Sequence, residues 1–249
     1  MISAETERLA ARAAAAGAPV KRAYVQRMFS EIAPRYDLLN AVLSAGVDRS
    51  WRRAAVRGLN WTRRPAGRYL DLCAGTLDVS ALLASRAGFD GRVVAADFAE
   101  PMLRAGAGKG PAGRIAPVVA DALTLPFASD SCDGALVAFG IRNVAGLDSG
   151  LAEVLRVLTP GSRFVILELS TPSSALVRGA YQFYFHSVLP LIGGLVSGHP
   201  TAYRYLPQSV AHFPEGNELA EWMRRAGFVN VTWRPLTLGI AALHVGERP

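Results

Sequence analysis

RYLDLCAGTLD, Arg68 to Asp78, reads as a buried strand that breaks into a tight turn and opens a helix. Tyr69, Leu70 and Leu72 make the short apolar run of a strand covered on both faces, and Asp71 sits at its carboxyl end. Gly75-Thr76 supplies the turn before the amphipathic run that starts at Val79. In open parallel α/β sheets that strand end is where ligands bind, and Gly75 permits close backbone approach to a nucleotide-sized one. Asp97 follows the strand pattern Arg92 to Ala96, 22 residues after Gly75. That is the spacing of a carboxylate that accepts from both ribose hydroxyls. The turn keeps one glycine of the usual three, so a plain strand-turn-helix capped by Thr76 or Asp78 competes with this reading.

Downstream of Gly91 the chain alternates strand and helix with short connections, as in a doubly wound sheet. Strands are predicted at Arg114 to Ala120, Gly134 to Phe139 and Arg163 to Leu169, with a helix at Leu147 to Leu158 stopped by Thr159-Pro160-Gly161. A helix from Glu215 to Ala226 ends at Gly227 as its C-cap. The last two strands, Val229 to Trp233 and Gly239 to Val245, are joined by too few residues for a crossover and must form an antiparallel hairpin. The predicted fold is α/β, a mostly parallel seven-stranded sheet with a terminal antiparallel hairpin. It differs from a dehydrogenase's all-parallel sheet and resembles class I S-adenosylmethionine-dependent methyltransferases.

The 249 residues fit one domain with embellishments: an N-terminal helical extension or lid at 1–60, and a main domain at 61–249 carrying a substrate- or membrane-facing insertion at 170–214. Net charge is +7, but the arginines fall in ones and twos with no basic-aromatic interleaving, which argues against nucleic acid as a partner. Cys73 and Cys132 lie far apart and the four histidines have no ligand spacing, so neither a disulfide framework nor a metal is expected. The first seventeen residues read as a frayed Ala-rich helical tail without secretory character, and no stretch reads as a clean membrane span. A reducing, cytoplasmic setting follows, with room for a peripheral position at the inner membrane face and for a homodimer.

Val25, Met28, Phe29 and Ile32 share a helical face that Pro34 ends, and a second helix begins near Asp37. Tyr36, Asp37 and Asn40 would project from it over the ligand cleft and close it against water. In the insertion, ALVRGAYQFYFHSVLPLIGGLVSG is too interrupted to span a bilayer and suits a tunnel wall for an apolar tail, a membrane-resting face or a core helix.

The segments IAPRYDLLNAVLSAGVDRSWRR (Ile32 to Arg53), LDLCAGTLD (Leu70 to Asp78), ADFAEPML (Ala96 to Leu103), ADALTLPF (Ala120 to Phe127), FGIRNV (Phe139 to Val144) and YRYLPQSV (Tyr203 to Val210) closely resemble one family. It is the quinone-biosynthesis C-methyltransferases, which methylate demethylmenaquinol and the corresponding ubiquinone precursor. The resemblance covers nearly the whole chain. It implies S-adenosyl-L-methionine as cofactor, held by Gly75, Thr76, Asp97, Phe98, Asp121, Ala122 and Ala138, with Asp121 and the Ala122 amide on the adenine and Met102 packed on its face or in the core. It implies a prenylated quinol as substrate, met by Tyr36, Asn40, Tyr203 and Arg204. Arg142 would stabilise the phenolate as a permanent cation and Asn143 would orient its hydroxyl or a water, with His186 and His199 as lesser candidates for a base. Ala74 and Leu77 stand where the family's turn is glycine-rich, and Leu77 would either lean into the helix packing or shrink the cofactor pocket. Two readings compete with this one: a small-molecule methyltransferase of secondary metabolism, and a non-catalytic module with a degenerate cofactor site.

Overall fold

The computed structural model describes residues 4–17, 20–44, 46–184, 187 and 200–249. Four helices precede the sheet: α1 (Ala4–Ala15), α2 (Lys21–Ile32), α3 (Tyr36–Ser44) and α4 (Asp48–Gly58), with a 3-10 turn at Ala33–Arg35 where Pro34 interrupts the run. Then come β1 (Arg68–Leu72), α5 (Asp78–Ala84), β2 (Arg92–Asp97), α6 (Glu100–Ala105), β3 (Ile115–Val119), β4 (Gly134–Ala138), α7 (Leu147–Val157) and β5 (Arg163–Leu169). After α8 (Ala175–Phe183) come the helices Pro200–Ala211 and Gly216–Arg225, and the chain closes with β6 (Val229–Leu236) and β7 (Ala241–Glu247).

The sheet has seven strands in the order β3-β2-β1-β4-β5-β7-β6. The first five are parallel, and β7 runs antiparallel between β5 and β6. The central strands are mainly apolar because both faces are covered, with Asp71 in β1 and Glu168 in β5 as buried carboxylates. Val137, Phe164 and Ile166 pack toward α7 and the helix Gly216–Arg225, whereas Leu136, Val165 and Leu167 pack toward α4 and α5. Each such side chain contributes about 1.5–3 kcal/mol of burial. The helix Gly216–Arg225 ends as expected at Gly227, whose φ is 105°: its N–H donates to Arg224 and the Phe228 N–H to Met223, closing a Schellman motif.

Among the described residues the Ala-rich helix α1 is packed rather than frayed. Ala11 and Ala14 are buried with Tyr24, Val25, Met28, Ile32 and Tyr205, because small residues on α1 let it lie close to α2 and the helix Pro200–Ala211. Of the histidines considered as bases, His186 and His199 lie outside the described residues.

Candidate functional site

Three left-handed residues shape the turn after β1: Cys73 (φ 53°), Gly75 (53°) and Leu77 (66°). A left-handed Leu is strained, and its compensation is burial among Ala95 and Leu103 beneath α6. Leu77 therefore leans into the helix packing and stays off the pocket wall. At Gly75 the bare backbone faces the pocket, and a Cβ there would stand 3.4 Å from Met102 Cε. Asp71 does not face the ligand: it is buried, accepts from Ser80 Oγ at 2.6 Å, and desolvation pushes its carboxyl up to about 7.

The Asp97 carboxylate ties two loops together, accepting from Gly75 N at 2.9 Å and from Ala99 N at 2.8 Å. Burial raises its pKa and these amides oppose the rise. Asp97, Phe98, Asp121, Ala122 and Ala138 all line one cavity with Gly75 and Met102, so six of the seven residues expected around the cofactor converge. Thr76 is the exception. It is buried off the wall, donating its hydroxyl to Asp37. The same wall carries Asn143, whose buried Oδ1 has no hydrogen-bond partner. An orphaned acceptor, two carboxylates and an exposed glycine backbone fit a cofactor with ribose hydroxyls, an adenine amino group and an ammonium. Sequence reading missed Arg22, Phe29, Cys73 and Phe139 on this wall.

A second cavity of ≈ 420 Å³ adjoins the first, which encloses ≈ 60 Å³. They share Phe29, Tyr36 and Phe139, and the larger one is mainly apolar and aromatic. Tyr36 and Asn40 line it. Tyr203 and Arg204 belong to the helix Pro200–Ala211, but their side chains lie outside the described residues. Their neighbour Tyr205 lines the cavity, its hydroxyl unpartnered and pushed up to about 12 by burial.

Arg142 and Asn143 separate. Asn143 lines the smaller cavity, and Arg142 reaches the larger one without a free charge. Its Nη1 lies 2.6 Å from Glu168 Oε1 and also donates to the Phe139 carbonyl, while Nε donates to Ser209 Oγ at 3.3 Å. Both side chains are buried, so the pair is close to neutral. A second paired arginine on the wall, which sequence reading missed, is Arg52 on α4, whose Nη2 lies 3.9 Å from Asp78 Oδ2. It lies over the Phe139 ring at 5.3 Å, and its Nε donates to Asp48 at 3.1 Å. Asp48, Trp51 and Arg52 sit inside the quoted VDRSWRR segment, a cue to their presence but not to their direction.

Polar contacts from α2 and α3 land on the loop after each of the first four strands. Asp37 accepts from Thr76 and from Lys109 (2.6 Å), and Gln26 donates to the Phe98 carbonyl at 3.0 Å. Arg22 Nε lies 2.8 Å from Asp121 Oδ2, and Lys21 donates to the Arg142 carbonyl at 2.8 Å.

A family described as the ubiE/COQ5 methyltransferase family matches residues 18–248. The chain belongs to this family. Its relatives include a ubiquinone/menaquinone biosynthesis C-methyltransferase UbiE from Geotalea daltonii, 47% identical over 90% of this chain and 96% of that one. A demethylmenaquinone methyltransferase from Thermus thermophilus is 48% identical over 89% of this chain and 100% of that one. Among solved structures, a SAM-dependent methyltransferase from Thermotoga maritima superposes with a TM-score of 0.64 at 16% identity, covering 90% of this chain and 99% of the other. That likeness bears on the fold, a class I methyltransferase sheet. As a ubiE/COQ5 methyltransferase the protein uses S-adenosyl-L-methionine as methyl donor, and the turn with Ala74 and Leu77 leaves the pocket wall clear for it.

Proposed function

We propose that this protein transfers a methyl group from S-adenosyl-L-methionine to a ring carbon of a prenylated quinol in menaquinone or ubiquinone biosynthesis, with demethylmenaquinol as the reference substrate. The observation that carries the reading is the junction of two cavities: a small one that carries the carboxylates Asp97 and Asp121 shares the wall residues Phe29, Tyr36 and Phe139 with a large, mainly apolar and aromatic one. A ring at that junction would meet the reactive end of the cofactor while its tail lay among Ile32, Val177, Leu206 and Ile240. The bound cofactor supplies an electrophilic methyl on a sulfonium.

In this reading Asp97 accepts from the ribose hydroxyls, Asp121 and the Ala122 amide hold the adenine, and Gly75, Phe98 and Ala138 shape the wall. Asn143 Oδ1 takes a donor of the cofactor's polar end, which removes its unpaired state. The N-terminal helices form the lid: α2 and α3 exclude water, and Tyr36 and Asn40 touch the quinol. A phenol with a pKa near 10 costs about 4 kcal/mol to ionise at pH 7, so the cavity must favour loss of that proton.

Apolar side chains crowd the outside of the large cavity. Leu176 and Phe183 on α8 are 85% and 67% exposed, and Leu238 is 75% exposed, next to cavity-lining Val177, Thr237 and Ile240. Among the described residues no helix is long and apolar enough to cross a membrane. A peripheral seat on the cytoplasmic membrane face, with the cavity open toward the lipid, accounts for this exposure.

The test is calorimetric titration with S-adenosylmethionine, followed on the same sample by methyl transfer to demethylmenaquinol in detergent. Binding with transfer is expected. Binding without transfer to a quinol of any tail length would exclude the substrate class.

A further inference from the structure

We infer that Asp48, held by Arg52, is the group that takes the hydroxyl proton of the acceptor. The inference rests on the quinol C-methyltransferase reading and deepens it. Methylation at a ring carbon needs the electron density of an oxygen that is losing its proton, and the cavity must contain a group to receive it. Among the described residues Asp48 is the one carboxylate on the wall of the large cavity. Glu168 stands behind Arg142 and is consumed by it. Tyr205 is a donor at neutral pH, not an acceptor of protons, and among the described residues no histidine lines the wall.

The setting of Asp48 suits the task. It opens α4, whose Ala54, Ala55 and Val56 are packed against the sheet, so the carboxylate is mounted on a rigid element. Ser44 Oγ donates to Oδ1 at 2.7 Å and Arg52 Nε to Oδ2 at 3.1 Å. Each oxygen keeps a further lone pair for the acceptor. Arg52 in turn is fixed over the face of Phe139, and Phe139 walls both cavities. Arg52 therefore packs on a residue common to the two cavities, and Asp48 stands beside it on the wall of the larger one, a proton acceptor and a cation side by side. Arg52 is a positioning residue that also offsets negative charge on the oxygen.

The step balances as follows. The ring carbon's electron pair forms the new C–C bond to the methyl group, and the sulfur–methyl bond breaks with its pair remaining on sulfur. The hydroxyl O–H bond breaks as this happens, leaving a ring carbonyl, and its proton goes to Asp48. The proton on the methylated carbon then leaves to solvent while Asp48 returns its own to the oxygen, restoring the aromatic quinol. One proton is released per methyl transferred.

The experiment compares wild type with Asp48→Asn and Asp48→Glu in two readouts. The first is binding of a short-tailed 2-prenyl-1,4-naphthoquinol and of its quinone to the cofactor-free protein under anaerobic conditions, followed by tryptophan fluorescence. Only the quinol can donate to Asp48, so wild type should prefer it about tenfold or more and Asp48→Asn should lose that preference. The second is turnover with demethylmenaquinol: Asp48→Asn should lower kcat by about a hundredfold or more with S-adenosylhomocysteine affinity unchanged, and Asp48→Glu should recover part of it. Equal quinol preference and near-normal kcat in Asp48→Asn would overturn the assignment while wild-type transfer leaves the substrate reading intact. Failure of wild type itself to methylate the quinol would remove that reading and this inference with it.

Discussion

Arg22 on α2 and Asp121 after β3 form an ion pair, Nε to Oδ2 at 2.8 Å, on the wall of the cofactor cavity. Asp121 also caps its own turn, accepting from Leu123 N at 3.0 Å. The carboxylate assigned to the adenine amino group thus already has a partner, and the cavity behind it encloses ≈ 60 Å³, against about 300 Å³ or more for a ligand of cofactor size. A cofactor amino group that donates to Asp121 would compete with Arg22 for it.

Removing that competitor should help binding. The Arg22 side chain is 63% exposed, so screening keeps the pair at no more than about 1 kcal/mol. Arg22→Ala should bind S-adenosylhomocysteine up to about fivefold more tightly and faster than wild type at low salt, and the gap should close at high salt. Titration and stopped-flow mixing at two ionic strengths read this directly. Weaker binding by Arg22→Ala would instead make Arg22 a cofactor ligand.

Arg142 and Glu168 should behave as a unit. Removing Glu168 leaves a buried guanidinium unmatched, a loss of about 3–5 kcal/mol in broken buried pairs. Glu168→Ala and Arg142→Ala should each lower the urea midpoint strongly, and the double variant should recover part of the loss. Arg142→Ala should also cut turnover much more than cofactor affinity, because Arg142 reaches the acceptor cavity and not the cofactor cavity. Wild-type turnover by that variant would remove Arg142 from the mechanism.

Asp97→Ala should abolish cofactor binding, since it removes the proposed ribose acceptor together with the tether between Gly75 N and Ala99 N. Leu77→Gly makes the opposite expectation. It restores a residue suited to φ 66° but leaves a hole beside Ala95 and Leu103. Stability should fall by about 1–3 kcal/mol, the cavity cost less the relieved strain, with cofactor affinity within twofold of wild type. A large gain in affinity would place Leu77 in the pocket after all.

Periodic and local features were legible in the sequence. The seven strands, the closing hairpin, Gly227 as a helix cap and the Gly75 to Asp97 spacing all follow from patterns within a few residues or between consecutive strands. Features set by tertiary partners were not. Nothing near Arg142 in the chain announces Glu168, 26 residues on, and nothing near Asp121 announces Arg22. The Ala-rich start looked frayed because its partners, α2 and the helix Pro200–Ala211, lie elsewhere in sequence. Asp48 and Arg52 were visible as residue types, but which helix face meets a cavity depends on how α4 docks on the sheet.

Asp71 gives the fold a dependence on pH that is separate from the chemistry. Desolvation raises its carboxyl to about 7, opposed by the hydrogen bond from Ser80 and the charge of Arg52, whereas in the unfolded chain it titrates near 4. Below the unfolded value both states are protonated and ionisation costs nothing. Between the two values only the unfolded chain has lost the proton, so the folded state binds more protons and stability falls as pH rises. Above about 7 both states are ionised and the penalty stays constant. Asp71→Asn keeps an acceptor for Ser80 and removes the titration. Its stability relative to wild type should therefore rise by about 3 kcal/mol between pH 5 and pH 8 in urea unfolding. A difference independent of pH over that interval would mean that Asp71 is ionised in the folded protein throughout, balanced by Arg52 more fully than its burial implies.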